Sequence, residues 1–164
     1  MINKIRSICL RSFPYIIEEI KILEPYHNGK LFDYSQKSKY GEVKESYVGE
    51  KLCGEACYVL KNILDHYDYD VKIWYNTRRY GKEIDDHCFI VVNDKIIVDP
   101  TYKQFIKSNM IYSQDSIKYL YQKLYPFFVG TNEMLHEILC NKYLFNKSIK
   151  KYWDREQDIT YKFK

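Results

Sequence analysis

No stretch of this sequence approaches the roughly 20 apolar residues that a helix needs to cross a bilayer. The first segment, Met1-Ile2-Asn3-Lys4-Ile5-Arg6, starts basic, but Arg11 breaks the apolar run that follows. A removable secretory leader is therefore not expected. Charge of one sign is lacking too. The 26 basic and 22 acidic side chains leave +4, too little to announce a nucleic-acid binder. An even cysteine set is missing: five cysteines at irregular spacings exclude a fully paired intramolecular disulfide framework. Internal repeats and low-complexity linkers are absent as well. These absences point to a cytoplasmic protein in a reducing compartment, where thiols stay free unless they bind metal or do chemistry. A host cell is the alternative setting if the protein is viral or an exported effector.

What is present suits one globular unit. The 164 residues are 46% hydrophobic and 29% charged, enough to bury a core without staples. The 18 tyrosines read as compositional drift. A single domain over 1–164 is expected, with its core at about 49–130. A helical and wrapping region would precede it at 1–48, and a helical region would follow at 131–164.

Apolar positions from Ile2 to Leu23 fit a helix that Pro14 kinks or restarts. Residues 24–49 are polar and punctuated by Pro25, Gly29, Gly41 and Gly49, so an irregular surface wrap is expected. Leu52, Ala56, Val59, Leu60, Ile63 and Leu64 recur at helical steps, which predicts a helix from about Cys53 to His66. Val71, Ile73 and Tyr75 alternate, which predicts a strand over 70–76. A polar loop is expected at 78–86. His87 to Val92 and Lys95 to Val98 are apolar runs around Asn93-Asp94, a hairpin pattern that Pro100 ends. Further on, a helix over 113–125, an edge strand at 127–129 and a helix over 132–143 capped by Thr131 are expected. The last dozen residues should fray.

Chemistry concentrates between Gly49 and Phe105. Cys53 stands at a helix start, where unpaired N–H groups and the helix dipole favour a thiolate. The same N–H groups can donate to an oxyanion formed at a carbonyl under attack. Gly54 lets a substrate come close to the backbone. His87 opens a strand and is the candidate base. Asp99, on the neighbouring strand, is the candidate group that orients it. Side chains alternate along strands, so His87 and Asp99 share a face only if the turn has an odd number of residues or a bulge intervenes. A two-residue turn would put Asp99 on the face of Cys88. A three-residue turn or a bulge is therefore expected.

Other residues compete for these roles. Cys57 lies one turn after Cys53 and is read as core packing, because helix-interior thiols lack free N–H groups. Cys88 alternates away from His87 and is read as packing; Cys9 and Cys140 are assigned to apolar helix faces. Cys53, Cys57, His87 and Cys88 raise zinc, but no second ligand pair stands at the usual spacing, so no metal is expected. Asp85, Asp86, Arg78 and Arg79 read as solvated loop, the arginines alternatively as contacts for an acidic protein. Lys147, Lys150, Lys151 and Arg155 beside Tyr152 and Trp153 form a basic aromatic tail. A solvated helix end is the preferred reading over nucleic-acid contact.

The stretch His87-Cys88-Phe89-Ile90-Val91-Val92, then Ile97-Val98-Asp99-Pro100-Thr101-Tyr102-Lys103-Gln104-Phe105, resembles papain-like and transglutaminase-like thiol enzymes. It is most similar to papain-fold toxins and protein-glutamine deamidases, and Phe128-Val129-Gly130-Thr131 fits the same pattern. The resemblance covers about a third of the chain. It implies an α+β fold in which the nucleophile helix packs on an antiparallel sheet, with flanking helices at both ends. It implies Cys53 as nucleophile, His87 as base and Asp99 as orienter, with Gly54 and Gln104 supporting the site. The implied activity is cysteine-dependent acyl transfer on amides of a protein or peptide, first of all glutamine deamidation. A cysteine peptidase, a transglutaminase and an inert binding module on the same fold are the alternatives. No cofactor, nucleic acid or membrane partner is implied. One departure stands out. Papain-like proteases carry a glutamine upstream of the cysteine, whereas 46–52 contains neither Gln nor Asn, and Gln36 aligns only if the wrap folds back.

Overall fold

A computed structural model describes residues 1–27, 31–38, 41–48, 53–80, 83–105, 127–140 and 147–163. Within these, only the backbone is described at 21–27, 31–48, 77–85, 103, 147–149 and 162–163.

The chain opens with α1 (Ile2–His27), one helix that runs through Pro14 without a break. Two facts explain this. The apolar stripe Ile5, Ile8, Cys9, Phe13, Ile16, Ile17 and Ile20 keeps helical spacing on both sides of the proline and is buried throughout. Pro14 itself faces solvent, as does Leu10, whose carbonyl loses its N–H partner. Burial of seven side chains at about 1.5–3 kcal/mol each outweighs a proline cost of about 3 kcal/mol.

The expected wrap is instead the end of α1 followed by a hairpin. Strands β1 (Leu31–Ser38) and β2 (Gly41–Val48) pair antiparallel, from Leu31 opposite Val48 to Ser38 opposite Gly41. Gly41 begins a strand here and does not interrupt one. Helix α2 (Cys53–Leu64) follows, then a 3₁₀ turn over Asp65–Tyr67.

Strands β3 (Val71–Tyr80) and β4 (Glu83–Val92) form a long hairpin. The polar loop expected at 78–86 is its far end, with Arg78 opposite Asp85 and Arg79 opposite Ile84. Polarity there marks strands that leave the core, not a loss of pairing. Strand β5 (Ile96–Asp99) stops just before Pro100, which cannot donate to a ladder. Strand β6 (Phe128–Gly130) is the edge beside β5. Helix α3 (Asn132–Leu139) is capped by Thr131, whose Oγ1 accepts from the Met134 N–H at 3.3 Å. The helix expected over 113–125 lies outside the described residues.

The tail does not fray. A 3₁₀ segment over Lys147–Trp153 leads to β7 (Gln157–Asp158), which adds to the open edge of β3. The Ile159 N–H donates to the Ile73 carbonyl at 2.8 Å, and Thr160 Oγ1 accepts from the Ile73 N–H at 2.7 Å. The resulting five-stranded antiparallel sheet has the order β6-β5-β4-β3-β7.

Both faces of this sheet are covered. Val71, Ile73, Cys88, Ile90, Val92, Ile96 and Val98 pack with α1 and α2. Phe89, Val91 and Ile97 pack on the other face with Tyr102, Leu135, Leu139, Tyr152 and Trp153. This is why β4 and β5 read as continuous apolar runs with no polar alternation. The architecture is α+β. Among the described residues no helix is long and apolar enough to cross a membrane.

Because Pro14 is exposed, Pro14→Ala should stabilise the protein by about 1–2 kcal/mol, the helical gain less the added chain entropy. Urea unfolding of the two proteins measures it; a loss of stability would mean that the proline is accommodated without strain.

Candidate active site

The turn between β4 and β5 decides which face Asp99 occupies. Val92 pairs with Ile96, so Asn93, Asp94 and Lys95 make a three-residue turn, as expected from parity. Asn93 and Asp94 sit at φ 51° and 56°, left-handed values that Asn and Asp tolerate better than most residues. The Asp70 carbonyl accepts from the Asn93 N–H at 2.8 Å, and Asn93 Oδ1 accepts from the Asp70 N–H at 2.9 Å, which ties the turn to β3. With Ile90 opposite Val98, the register carries Asp99 beside Phe89. Asp99 is then the diagonal neighbour of His87 on the same face.

The two meet. His87 Nε2 donates to Asp99 Oδ2 at 2.7 Å, and neither side chain has any exposure to solvent. The carboxylate accepts only, so the proton on this nitrogen is fixed. Three further donors converge on Asp99. Oδ1 accepts from the Thr101 N–H at 2.8 Å and from Thr101 Oγ1 at 3.0 Å. Oδ2 accepts a second bond, from the Trp153 indole N–H at 2.7 Å. Gln104 Nε2 donates to Thr101 Oγ1 at 2.9 Å and so supports the group that supports Asp99. The expected role of Gln104 as a site-supporting residue thus takes a concrete form, two bonds removed from the carboxylate.

Aromatic rings enclose the imidazole. Phe105 lies edge-on at 4.9 Å, Trp153 at 5.3 Å and Tyr152 at 6.3 Å between centroids, with Phe89 stacked at 6.2 Å. His87 Nδ1 is buried and has no hydrogen-bond partner among the described residues. It is the ring nitrogen left over for Cys53, whose sulfur interacts with the same ring.

Cys53 is the first residue of α2 and Gly54 the second, both half-buried. The backbone N–H groups there have no partner within the helix. The Cys53 thiol is held well below its ordinary range. A hydrogen bond from the Cys88 thiol is the main cause; burial opposes it, and the hydrogen bond and charge of His87 reinforce it. Cys88 correspondingly keeps its proton, first because of that bond to Cys53 and then because of burial. In His87, burial works against the charged ring. The charge and hydrogen bond of Asp99, followed by those of Cys53, prevail and raise it to about 9. Cys57 is fully buried, and burial, then the nearby Asp99 and Cys53 charges, pushes its thiol well up. The arrangement therefore favours a Cys53 thiolate beside a His87 imidazolium.

Cys53, His87 and Asp99 are thus brought together from α2, β4 and β5. Two participants escaped the sequence reading. Cys88 does pack in the core, but it is also the main influence that lowers the Cys53 thiol. The available signal was its adjacency to His87, on the face that the helix covers. Trp153 lay in a tail read as solvated, yet Trp153 and Tyr152 are buried, so their rings are not exposed for base stacking. Two large rings in a polar segment were the signal. Cys9 is buried as expected, whereas Cys140 is not. It ends α3 in solvent, where Lys150 Nζ donates to its sulfur at 3.0 Å. Asp86 is exposed and accepts from Tyr75 Oη at 3.0 Å. The side chains of Gln36, Arg78, Arg79 and Asp85 lie outside the described residues.

Among the described residues no group of three or more His, Cys, Asp or Glu side chains is placed to hold a metal ion. Comparison with protein-family models, with curated proteins and with solved structures found no match.

Thr101→Val keeps the shape of the side chain and removes one donor to Asp99 and the acceptor for Gln104. It should destabilise the protein by about 1–3 kcal/mol in a denaturation experiment, since a hydrogen bond to a buried charge is lost. An unchanged midpoint would show that the Thr101 N–H alone satisfies Oδ1.

Proposed function

We propose that this chain is a cysteine-dependent acyl-transfer enzyme on the papain-like and transglutaminase-like plan. Its substrate is a side-chain amide of a protein, and its reaction is glutamine deamidation. The observation that carries the reading is His87, held by Asp99 at 2.7 Å on one ring nitrogen, with the other left without a hydrogen-bond partner among the described residues and Cys53 acting on the same ring. The deamidase form rests on the resemblance of Asp99-Pro100-Thr101 and Gln104-Phe105 to that group of enzymes.

The steps follow from the groups in place. The Cys53 thiolate attacks the amide carbon, and the carbonyl electrons move to oxygen. The N–H groups of Cys53 and Gly54 at the start of α2 receive that oxyanion. His87 gives its Nδ1 proton to the departing nitrogen, which leaves as ammonia, and a thioester remains on Cys53. Acylation removes the Cys53 charge, one of the causes that hold the imidazole proton. The ring is then neutral and able to take a proton from water. Hydroxide attacks the thioester, the thiolate leaves, and glutamate is released. Water as acceptor gives deamidation; an amine in its place would give cross-linking, and a main-chain amide would give proteolysis. Asp99 holds the ring in one tautomer throughout.

The sign of the pH dependence follows. Cys53 is depressed and His87 raised, so the ion pair persists from below neutrality up to about pH 9. An ordinary thiol near 8.5 gains roughly 75-fold in thiolate between pH 6 and pH 8. Carbamidomethylation of Cys53 should instead change less than about threefold over that range. The steep rise should return in His87→Ala. Rapid labelling should vanish in Cys53→Ser and persist in Cys57→Ser. Equal, slow labelling of both thiols would overturn the enzyme reading in favour of an inert binding module.

The reaction class is checked by intact mass of candidate protein substrates after incubation. Deamidation adds about one mass unit, without new termini and without covalent dimers. New termini would replace this reading with a peptidase, and covalent dimers with a transglutaminase.

A further inference from the structure

The Trp153 indole donates to Asp99 Oδ2, the oxygen that also receives His87 Nε2, each at 2.7 Å. Its hydrogen bond spans 54 residues of sequence and is fully buried. Trp153 precedes the segment that adds β7 to β3 and buries Ile159 in the opposite layer. Asn76 Nδ2 also donates to the Asp154 carbonyl at 2.8 Å, which fastens the residue next to it. The indole is therefore held in place from both the ring side and the backbone side.

We propose that Trp153 is a positioning residue of the candidate site: it fixes the Asp99 carboxylate and shares its charge, and so sets how firmly His87 keeps its proton. This rests on the proposed partnership of His87 with Cys53. Two donors on one oxygen compete for the same electron density, so each bond is weaker than it would be alone. Removing the indole N–H leaves the whole of Oδ2 to His87, and the imidazolium becomes harder to deprotonate. The ionisable groups around the pair are Cys53 and Cys57 from α2, Cys88 from β4, Asp99 from β5 and Tyr152 from the 3₁₀ segment. Trp153 is a neutral donor, the one that shares Oδ2 with His87, and it acts through Asp99, not on substrate.

The sequence contains two tryptophans, which makes the test direct. Trp74 Nε1 is buried and has no hydrogen-bond partner among the described residues, so it serves as an internal reference. In the ¹⁵N-labelled protein, one indole N–H signal should lie well downfield of the other. It should move with pH in step with the His87 ring nitrogens, while the Trp74 signal should not follow that titration. In Trp153→Phe the His87 titration should shift upward by about one pH unit. An indole signal that ignores the His87 titration would overturn the proposal, as would a folded Trp153→Phe protein with an unchanged His87 midpoint. If Trp153→Phe does not fold, the wild-type indole signal alone decides. The proposed function fails separately, when wild-type Cys53 labels with the pH profile of an ordinary thiol.

Discussion

A single buried carboxylate organises this structure. Asp99 lies in the sheet with no solvent around it, and taking an ion out of water costs several kcal/mol. Four donors offset that cost: His87, Trp153, and the N–H and hydroxyl of Thr101. A carboxylate has about four lone-pair sites, and all four are taken. The donors come from β4, from the 3₁₀ tail and from the turn that follows β5. Satisfying one charge thus fastens three separated parts of the chain to the same point. The interaction that would orient a base in catalysis is also the one that docks the tail.

The strand geometry is subordinate to this contact. A two-residue turn at Asn93-Asp94 would be favoured by turn chemistry alone. It would also send Asp99 to the face of Cys88 and Ile90, in the α1 and α2 layer and away from His87. The three-residue turn keeps the apolar residues of β5 in both layers and brings the carboxylate of β5 beside the histidine of β4. Asn93 and Asp94 adopt left-handed backbone values to allow it. Local strain of this kind persists where the surrounding structure determines the outcome, and here Asp70 holds Asn93 from the neighbouring strand.

Much of this was readable because periodicity is a strong local signal. The α2 stripe of Ala56, Val59, Leu60 and Leu64 located the helix, and with it Cys53 at its start. The parity of His87 and Asp99 was arithmetic, so it located an odd turn without coordinates. Errors arose where one residue type was taken as punctuation. Of the two readings of Pro14, the restart is the one that fails, because an uninterrupted buried stripe outweighs a missing hydrogen bond on the wet side. Gly41 did not interrupt a wrap but opened β2. Polar residues at 78–86 did not end a strand, because antiparallel pairing continues wherever backbone meets backbone. Trp153 was hidden for a different reason. Its partner is 54 residues away in sequence, and two large rings in a polar segment signal burial without naming the carboxylate that one of them reaches.

The same geometry explains why five free thiols can behave so differently. Cys57 is one helical turn from Cys53, yet it sits inside α2 beneath the sheet, where burial and the two nearby negative groups keep its proton on. Cys88 neighbours His87 in sequence but faces the other layer, where the nearby Cys53 and burial raise its thiol and it retains its proton. Only Cys53 combines a helix start, a cationic ring and a thiol donor. The depressed Cys53 thiol is therefore a property of its position beside Cys88 and His87, and not of cysteine content. Any change that loosens the carboxylate, even one in the tail, must reach the thiolate through that ring.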